Sequence, residues 1–281
     1  MGATNILLVL SILAFAANSI LCRLALGPDL IDAASFTSVR LLSGAIMLML
    51  VLGMRRTRVW PPGKFDLVSA LALFLYAICF SFAYVTLNAA TGALLVFSAV
   101  QLTMIGVGVW RGERSPPMVW AGAVLAAGGL LYLLAPGVTA PPFWAATTMI
   151  MAGVSWGVYS LRGAGNNDPV TTTARNFIAA TPFALLFSFA TAGAIHISIA
   201  GVGWAALSGA LTSGLGYVVW YHVLPRFSAT RAALVQTSVP ALAAIGGVSL
   251  LGEPFSVRLG IASTVILSGA VLIIAARQSK V

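Results

Sequence analysis

The sequence predicts an all-α integral membrane protein, with ten transmembrane helices arranged as two inverted five-helix repeats. Three observations predict it. Of its 281 residues 60% are hydrophobic and only 7% charged, against roughly a quarter charged in an average soluble domain. Apolar stretches of the roughly 20 residues that a membrane crossing needs follow one another almost end to end. The chain also resembles itself at a shift that leaves an odd number of helices in each copy.

The spans read from hydropathy are 4–26, 31–53, 65–87, 89–111, 116–135, 142–162, 169–191, 198–224, 228–251 and 254–276. No loop between them is long enough to fold by itself. The first span is read as retained rather than cleaved, because Met1 to Asn5 carries no basic residue and the apolar run exceeds the roughly 15 residues of a signal-peptide core. Cys22 and Cys79 both fall inside apolar spans, so neither a disulfide framework nor a four-ligand zinc site is expected.

The net charge of +9 does not point to nucleic acid, because the basic residues sit singly or in threes at helix ends rather than along one face. They orient the chain instead. With the N-terminus inside, Arg55, Arg56, Arg58, Lys64, Arg111, Arg114, Arg162, Arg226, Arg231, Arg277 and Lys280 all fall on the inner side, eleven of the fifteen. Arg23 and Arg258 lie near outer helix ends, and Arg40 and Arg175 within spans. The bias predicts two cytoplasmic termini.

At a shift of 140 residues, Ala93, Leu94, Ser98, Leu102, Ile105, Gly106, Gly112, Glu113 and Gly129 meet identical residues from Ala233 to Gly269, nine identities over 37 positions. Ala, Leu and Gly coincide easily in apolar helices, so the charges decide. Glu113 and Glu253 each follow a glycine and each end the fourth helix of a five-helix set. The same shift sets Ala16-Ala17 against Trp156-Gly157, and a loop five residues shorter brings Arg40 opposite Arg175. The repeats are therefore assigned to 1–137 and 138–281. Because five is odd, the second copy enters the membrane from the other side, and inverted repeats are a feature of transporters that expose a central site to each face in turn.

The stretch Gly216 to Phe255, with Arg231-Ala-Ala-Leu234, a central Pro240 and a terminal Leu251-Gly-Glu253, resembles the closing segment of the EamA family in the drug/metabolite transporter superfamily. The resemblance covers the whole chain, since the first half repeats it. The first half departs from the pattern: Ala16-Ala17 stands for Trp-Gly, Val100 for the proline and Arg111-Gly-Glu113 for Leu-Gly-Glu. What the resemblance implies is a ten-helix inner-membrane exporter with helices 5 and 10 peripheral and a central cavity lined by helices 1, 3, 4, 6, 8 and 9. Within the superfamily the chain looks most like the bacterial amino-acid exporters of the YddG type.

Polar groups inside a bilayer are costly unless they face protein or a wet cavity. Asn18, Tyr76, Tyr84, Ser98, Gln101, Trp156, Tyr159, Tyr217, Gln236 and Ser238 are therefore the candidate substrate-binding residues, a neutral and aromatic set. An amino acid or similar small amphiphile would lay its side chain against Trp156, Tyr76, Tyr84 or Tyr217, whose faces also attract ammonium groups. Gln101, Gln236 or Asn18 would bond its charged ends. The opposing reading is that these side chains join helices, at about 1 kcal/mol per interhelical hydrogen bond.

Arg40 and Arg175 lie where an arginine costs about 2.5 to 3.5 kcal/mol, and their matched positions favour an architectural role over carboxylate binding. Glu113, Glu253 and Pro240 are read as structural or gating residues. Ala205, Gly209 and Ser213 are spaced for close helix packing. No Asp, Glu or Lys sits at a membrane midpoint, which argues for facilitated or weakly coupled export, and His196 and His222 lie near helix ends.

The chain is not read as an enzyme. Gly153-Val-Ser155-Trp-Gly157 spells a nucleophile pattern, but that chemistry needs a strand-turn-helix elbow with His and acid in reach; a protease using Ser155 with His222 or His196 is a remote alternative. Neither a phosphate loop around Lys64 or Lys280 nor a zinc pair is present, so no cofactor or metal is expected. Carriage of another metabolite or drug class within the same superfamily is one alternative to amino-acid export, and a solute channel is the second. The expected partners are a small-molecule substrate and the lipid bilayer, with no reading of the oligomeric state.

Overall fold

A computed structural model describes residues 3–56, 66–112, 116–137, 140–163, 168–191, 193, 195–223 and 238–278. The helices are α1 (Ala3–Leu26), α2 (Ala33–Met54), α3 (Leu67–Tyr84), α4 (Ala89–Trp110), α5 (Pro117–Leu134), α6 (Phe143–Gly163), α7 (Pro169–Ala190), α8, α9 (Ser238–Leu251) and α10 (Val257–Gln278). Helix α8 runs through three consecutive pieces, Ile199–Leu207, a π-helical Ser208–Leu215 and Gly216–Val223. Among the described residues there is no strand, only an isolated antiparallel bridge between Ile31 and Ile197.

Among the described residues six helices, α1 to α5 and α8, are long and apolar enough to cross a membrane by length and composition. Helices α6 and α7 fall short of that measure because their sequences carry Thr, Ser, Tyr, Asn and Arg. These are residues a crossing helix tolerates where it faces protein rather than lipid. Large apolar side chains stand exposed on the outer surface, among them Val124, Leu131, Leu186 and Phe189. So broad an apolar exterior fits lipid and would be an aggregation hazard in water. Trp110 and Trp144 are exposed at helix ends, where amphipathic rings sit at a membrane interface.

Three of the six acidic residues cap helix starts. Asp32, Asp66 and Asp168 accept from the backbone N–H of Ser35, Ser69 and Thr171, and Ser198 from that of Gly201. Each such cap is worth about 1 kcal/mol, and a negative charge there also meets the positive end of the helix dipole.

The largest helix contacts map onto one another when α1–α5 is exchanged with α6–α10. Helix α3 packs on α6 as α8 packs on α1, α4 on α6 as α9 on α1, and α2 on α8 as α7 on α3; the pairs α2 with α7, α4 with α9 and α5 with α10 are their own counterparts. The glycine before each glutamate is left-handed, with φ +84° at Gly112 and +64° at Gly252. Only glycine adopts that conformation readily at the residue that stops a helix. Among the described residues, helices α5 and α10 pack chiefly on each other, with smaller contacts to α4. Their crossing has no room for side chains: a Cβ on Gly122 would lie 2.4 Å from the Gly269 carbonyl oxygen.

Candidate functional site

Five helices converge on a central cavity lined by Phe15, Asn18 and Ser19 of α1, Tyr76 and Phe80 of α3, Val96, Phe97 and Val100 of α4, Trp156 of α6, and Thr212 and Tyr217 of α8. The Trp156 ring lies between two tyrosines, 4.8 Å from Tyr76 and 4.9 Å from Tyr217 between centroids. Phe15 meets Tyr217 edge-on at 6.0 Å. These are the tilted and edge-to-face arrangements that aromatic quadrupoles favour. The cavity leaves about 30 Å³ for the centres of water molecules, room for a water or two and too little for a metabolite.

The polar side of the cavity is built by the π-helical stretch of α8. Its wider turn brings the hydroxyls of Ser208 and Thr212 onto Asn18 Oδ1 at 2.7 and 3.0 Å. Ser213, on the same stretch, accepts from Arg40 Nε at 3.1 Å. Single π turns inside α-helices occur frequently at functional sites. Close approach to α2 makes the contact: a Cβ on Gly209 would meet the Arg40 carbonyl oxygen at 2.0 Å, so only glycine fits there.

Arg40 is 1% exposed. Its Nη2 donates to the Tyr76 hydroxyl at 3.1 Å, and its guanidinium carbon stands 5.3 and 5.0 Å from the Tyr76 and Phe80 ring centroids. Among the described residues, Arg40 Nη1 and Gln101 Oε1 are the buried side-chain atoms without a hydrogen-bond partner.

One end of the bundle is fastened by Glu253. Its Oε1 accepts from Arg23 Nε at 2.8 Å and its Oε2 from the Ala89 N–H at 2.8 Å, at the start of α4. Arg23 Nη1 also donates to the carbonyls of Tyr84 and Val85. The carboxylate thus ties together the ends of α1, α3, α4 and α9. At the same end the loop before α2 pairs with the loop before α8 through Asp32 N–H to the His196 carbonyl and Ser198 N–H to the Leu30 carbonyl.

Comparison with known proteins identifies the lineage. The EamA-like transporter family matches twice, over residues 2–135 and 141–275. The chain belongs to the EamA-like transporter family. An uncharacterized protein of Pseudomonas aeruginosa is 50% identical over 277 residues, 99% of this chain and 96% of that one. One solved crystal structure superposes with a TM-score of 0.68, covering 98% of this chain and 99% of its own at 19% identity, a likeness of fold.

Within this EamA-like framework the sequence-derived candidates separate. Asn18, Tyr76, Trp156 and Tyr217 line the cavity. Tyr159 stacks behind Trp156 at 5.4 Å and receives a hydrogen bond from Asn176. Tyr84 lies outside the lining: its hydroxyl donates to the Ala89 carbonyl and its ring packs where a Cβ on Gly92 would stand, beside the Glu253 junction. Ser98 donates to the Leu94 carbonyl of its own helix. Gln101 stands one residue beyond the lining Val100, and Ser238 is exposed at the start of α9. Gln236 and Glu113 lie outside the described residues.

Arg175 is only half-buried, unlike Arg40, so the paired sequence positions do not share one environment. Pro240 is buried in α9, which contributes nothing to the cavity lining among the described residues, although the EamA resemblance implied that it would. The nucleophile-like Gly153 to Gly157 lies inside the continuous α6 rather than on an elbow; a Cβ on Gly153 would meet the Val96 carbonyl oxygen at 2.5 Å. Sequence reading missed Phe15, Ser19, Phe80, Phe97 and Thr212, whose residue types are ordinary in any apolar helix. It also missed Arg23 as the partner of Glu253.

Proposed function

We propose that the protein is a secondary transporter that exports amino acids, chiefly aromatic and other neutral ones, or similar small amphiphiles. It works by alternating access across the bacterial inner membrane. The reading takes ten transmembrane helices in two inverted repeats, 1–137 and 138–281, with both termini cytoplasmic and a branch of the family close to the YddG type. The observation that carries it is the aromatic cavity at the meeting of five helices, with Trp156 held between Tyr76 and Tyr217 and the Asn18 amide beside them.

The cavity supports a carrier over an open pore. At about 30 Å³ it must widen to admit an amino acid, and the Arg23–Glu253 tie at one end is a contact such a change would break and remake. In this scheme Glu253 acts as a latch between α9 and the start of α4. No carboxylate lines the cavity among the described residues, which favours facilitated or weakly coupled movement over a proton relay.

The test is counterflow of labelled aromatic and aliphatic amino acids in liposomes, with and without a pH gradient. Saturable counterflow is expected, and Trp156→Ala should weaken apparent affinity by roughly tenfold through loss of ring contacts worth about 1 kcal/mol or more. Unchanged affinity in that variant would remove the site assignment, and absence of counterflow for every amino acid would remove the substrate class.

A further inference from the structure

The burial of Arg40 poses a charge problem that the protein does not solve by itself. The side chain is 1% exposed on α2, and among the described residues no carboxylate lies within ion-pair distance of it. A guanidinium carries five N–H donors. Here one goes to Ser213, one to Tyr76, the two ring faces of Tyr76 and Phe80 take part of the charge, and Nη1 meets no acceptor. Rings and hydroxyls are weak substitutes for an anion in a low-dielectric setting, where an unpaired buried charge is costly.

The position of the charge says where an anion would complete it. Two of its neighbours, Tyr76 and Phe80, are cavity wall, and Ser213 follows the wall residue Thr212. Arg40 therefore stands directly behind the aromatic lining, separated from the cavity by the side chain it holds. We propose that Arg40 is the anion-receiving group of the central site, and that the substrate must bring a carboxylate or comparable anionic group next to its apolar body. The proposal rests on the central cavity being the transport site and narrows what enters it. Widening of the cavity moves the Tyr76 ring and exposes Nη1, and the substrate's anion supplies the missing acceptor. A matched architectural role fails to account for Arg40, because Arg175 at the corresponding sequence position is half-buried.

The probes are L-phenylalanine, 3-phenylpropionate, which keeps the carboxylate and lacks the ammonium, and phenethylamine, which does the reverse. Binding to the full-length protein in detergent is read from thermal stabilisation, and L-phenylalanine counterflow is measured beside it in liposomes. The expected result is binding of the first two and at least tenfold weaker binding of phenethylamine. Arg40→Lys should lower affinity by about tenfold and Arg40→Gln by up to about a hundredfold, the range for a hydrogen bond to a charged group.

Equal binding of phenethylamine, or full affinity of Arg40→Gln for 3-phenylpropionate, overturns the proposal and leaves amino-acid transport standing. Arg40-dependent binding of 3-phenylpropionate without counterflow of phenylalanine or any other amino acid does the reverse: the amino-acid reading falls and the anion site stands. Failure of all three to bind overturns both. The comparison of probes on the unaltered protein decides the matter even if an Arg40 variant does not fold.

Discussion

Two ion pairs sit at opposite ends of the bundle with nearly the same length and different surroundings. Arg23 and Glu253 approach to 2.8 Å with side chains 19% and 9% exposed, while Arg162 and Asp66 approach to 2.9 Å with side chains 43% and 37% exposed. Distance alone would rank them equal. Burial and the remaining partners rank them apart, because water already satisfies and screens the second pair while the first is the centre of four hydrogen bonds, three of them to backbone groups.

The largest effect is therefore expected at Glu253. Glu253→Ala leaves the Arg23 guanidinium and the Ala89 N–H without their charged acceptor, at a cost of about 3 kcal/mol. Glu253→Gln keeps the shape and an acceptor oxygen and should cost less. Melting temperatures of the two variants in detergent, set beside Arg162→Ala, check the ranking; a Glu253→Ala protein that melts no lower than Arg162→Ala would break the comparison at its root.

Gly247 sharpens it from the other side. A Cβ there would lie 2.6 Å from Glu253 Oε2 and 3.3 Å from the Ala89 Cβ, so Gly247→Ala must push the carboxylate off the α4 amide. The expected cost is about 1 kcal/mol in the native protein. In the Glu253→Ala background it should nearly vanish, since the crowded atom is gone, and the double-mutant cycle measures that coupling directly. Equal costs in both backgrounds would mean that the glycine serves helix packing alone.

These two junction residues also show what the sequence made legible. Glu253 was visible as half of a repeated Gly-Glu pair, and the left-handed Gly112 and Gly252 are the backbone reason for the glycine. Its partner was not visible, because Arg23 lies 230 residues away and nothing in a helix sequence says which distant end it meets. Where both ends are described, helix positions followed from hydropathy to within a few residues, since the bilayer fixes their length; the start of the ninth span, read at 228, lies outside the described residues. The cavity was legible through Trp156, Tyr76, Tyr217 and Asn18, whose cost in lipid marks them.

Phe15, Phe80 and Thr212 were hidden because the same residues face lipid or neighbouring helices elsewhere in the chain. Tyr84 was misplaced for a related reason: hydropathy gives depth but not the face of the helix. The π-helical turn at Ser208–Leu215 has no sequence signal of its own, yet it sets Ser213 against Arg40. Such local departures from regular geometry depend on the neighbouring helix, here the close approach of α2 at Gly209.

At the opposite end, Arg162→Ala should cost only about 0.5 kcal/mol. The loss should fade as salt is raised, because exposed charges are screened within about 10 Å at 0.1 M ionic strength. The guanidinium also donates from Nε to the Ser69 hydroxyl at 3.2 Å, so Arg162→Lys, a point charge without the planar fork, should recover part of the loss at low salt only.

The smallest effect concerns pH. Partial burial raises the Asp66 carboxyl's pKa, but hydrogen bonds from Ser69 and Arg162 outweigh it and hold the group below its ordinary value of 3.8. A carboxyl whose folded pKa is depressed contributes stability that is full above its unfolded value and is lost as pH falls through the folded one. Its contribution should thus be flat from about pH 5 upward and decline below about pH 4. Melting curves of the native protein and Asp66→Asn taken across that range should differ by a constant amount near neutrality and converge in acid. A difference that still changed above about pH 5 would mean that the Asp66 carboxylate is not the group that sets the contact.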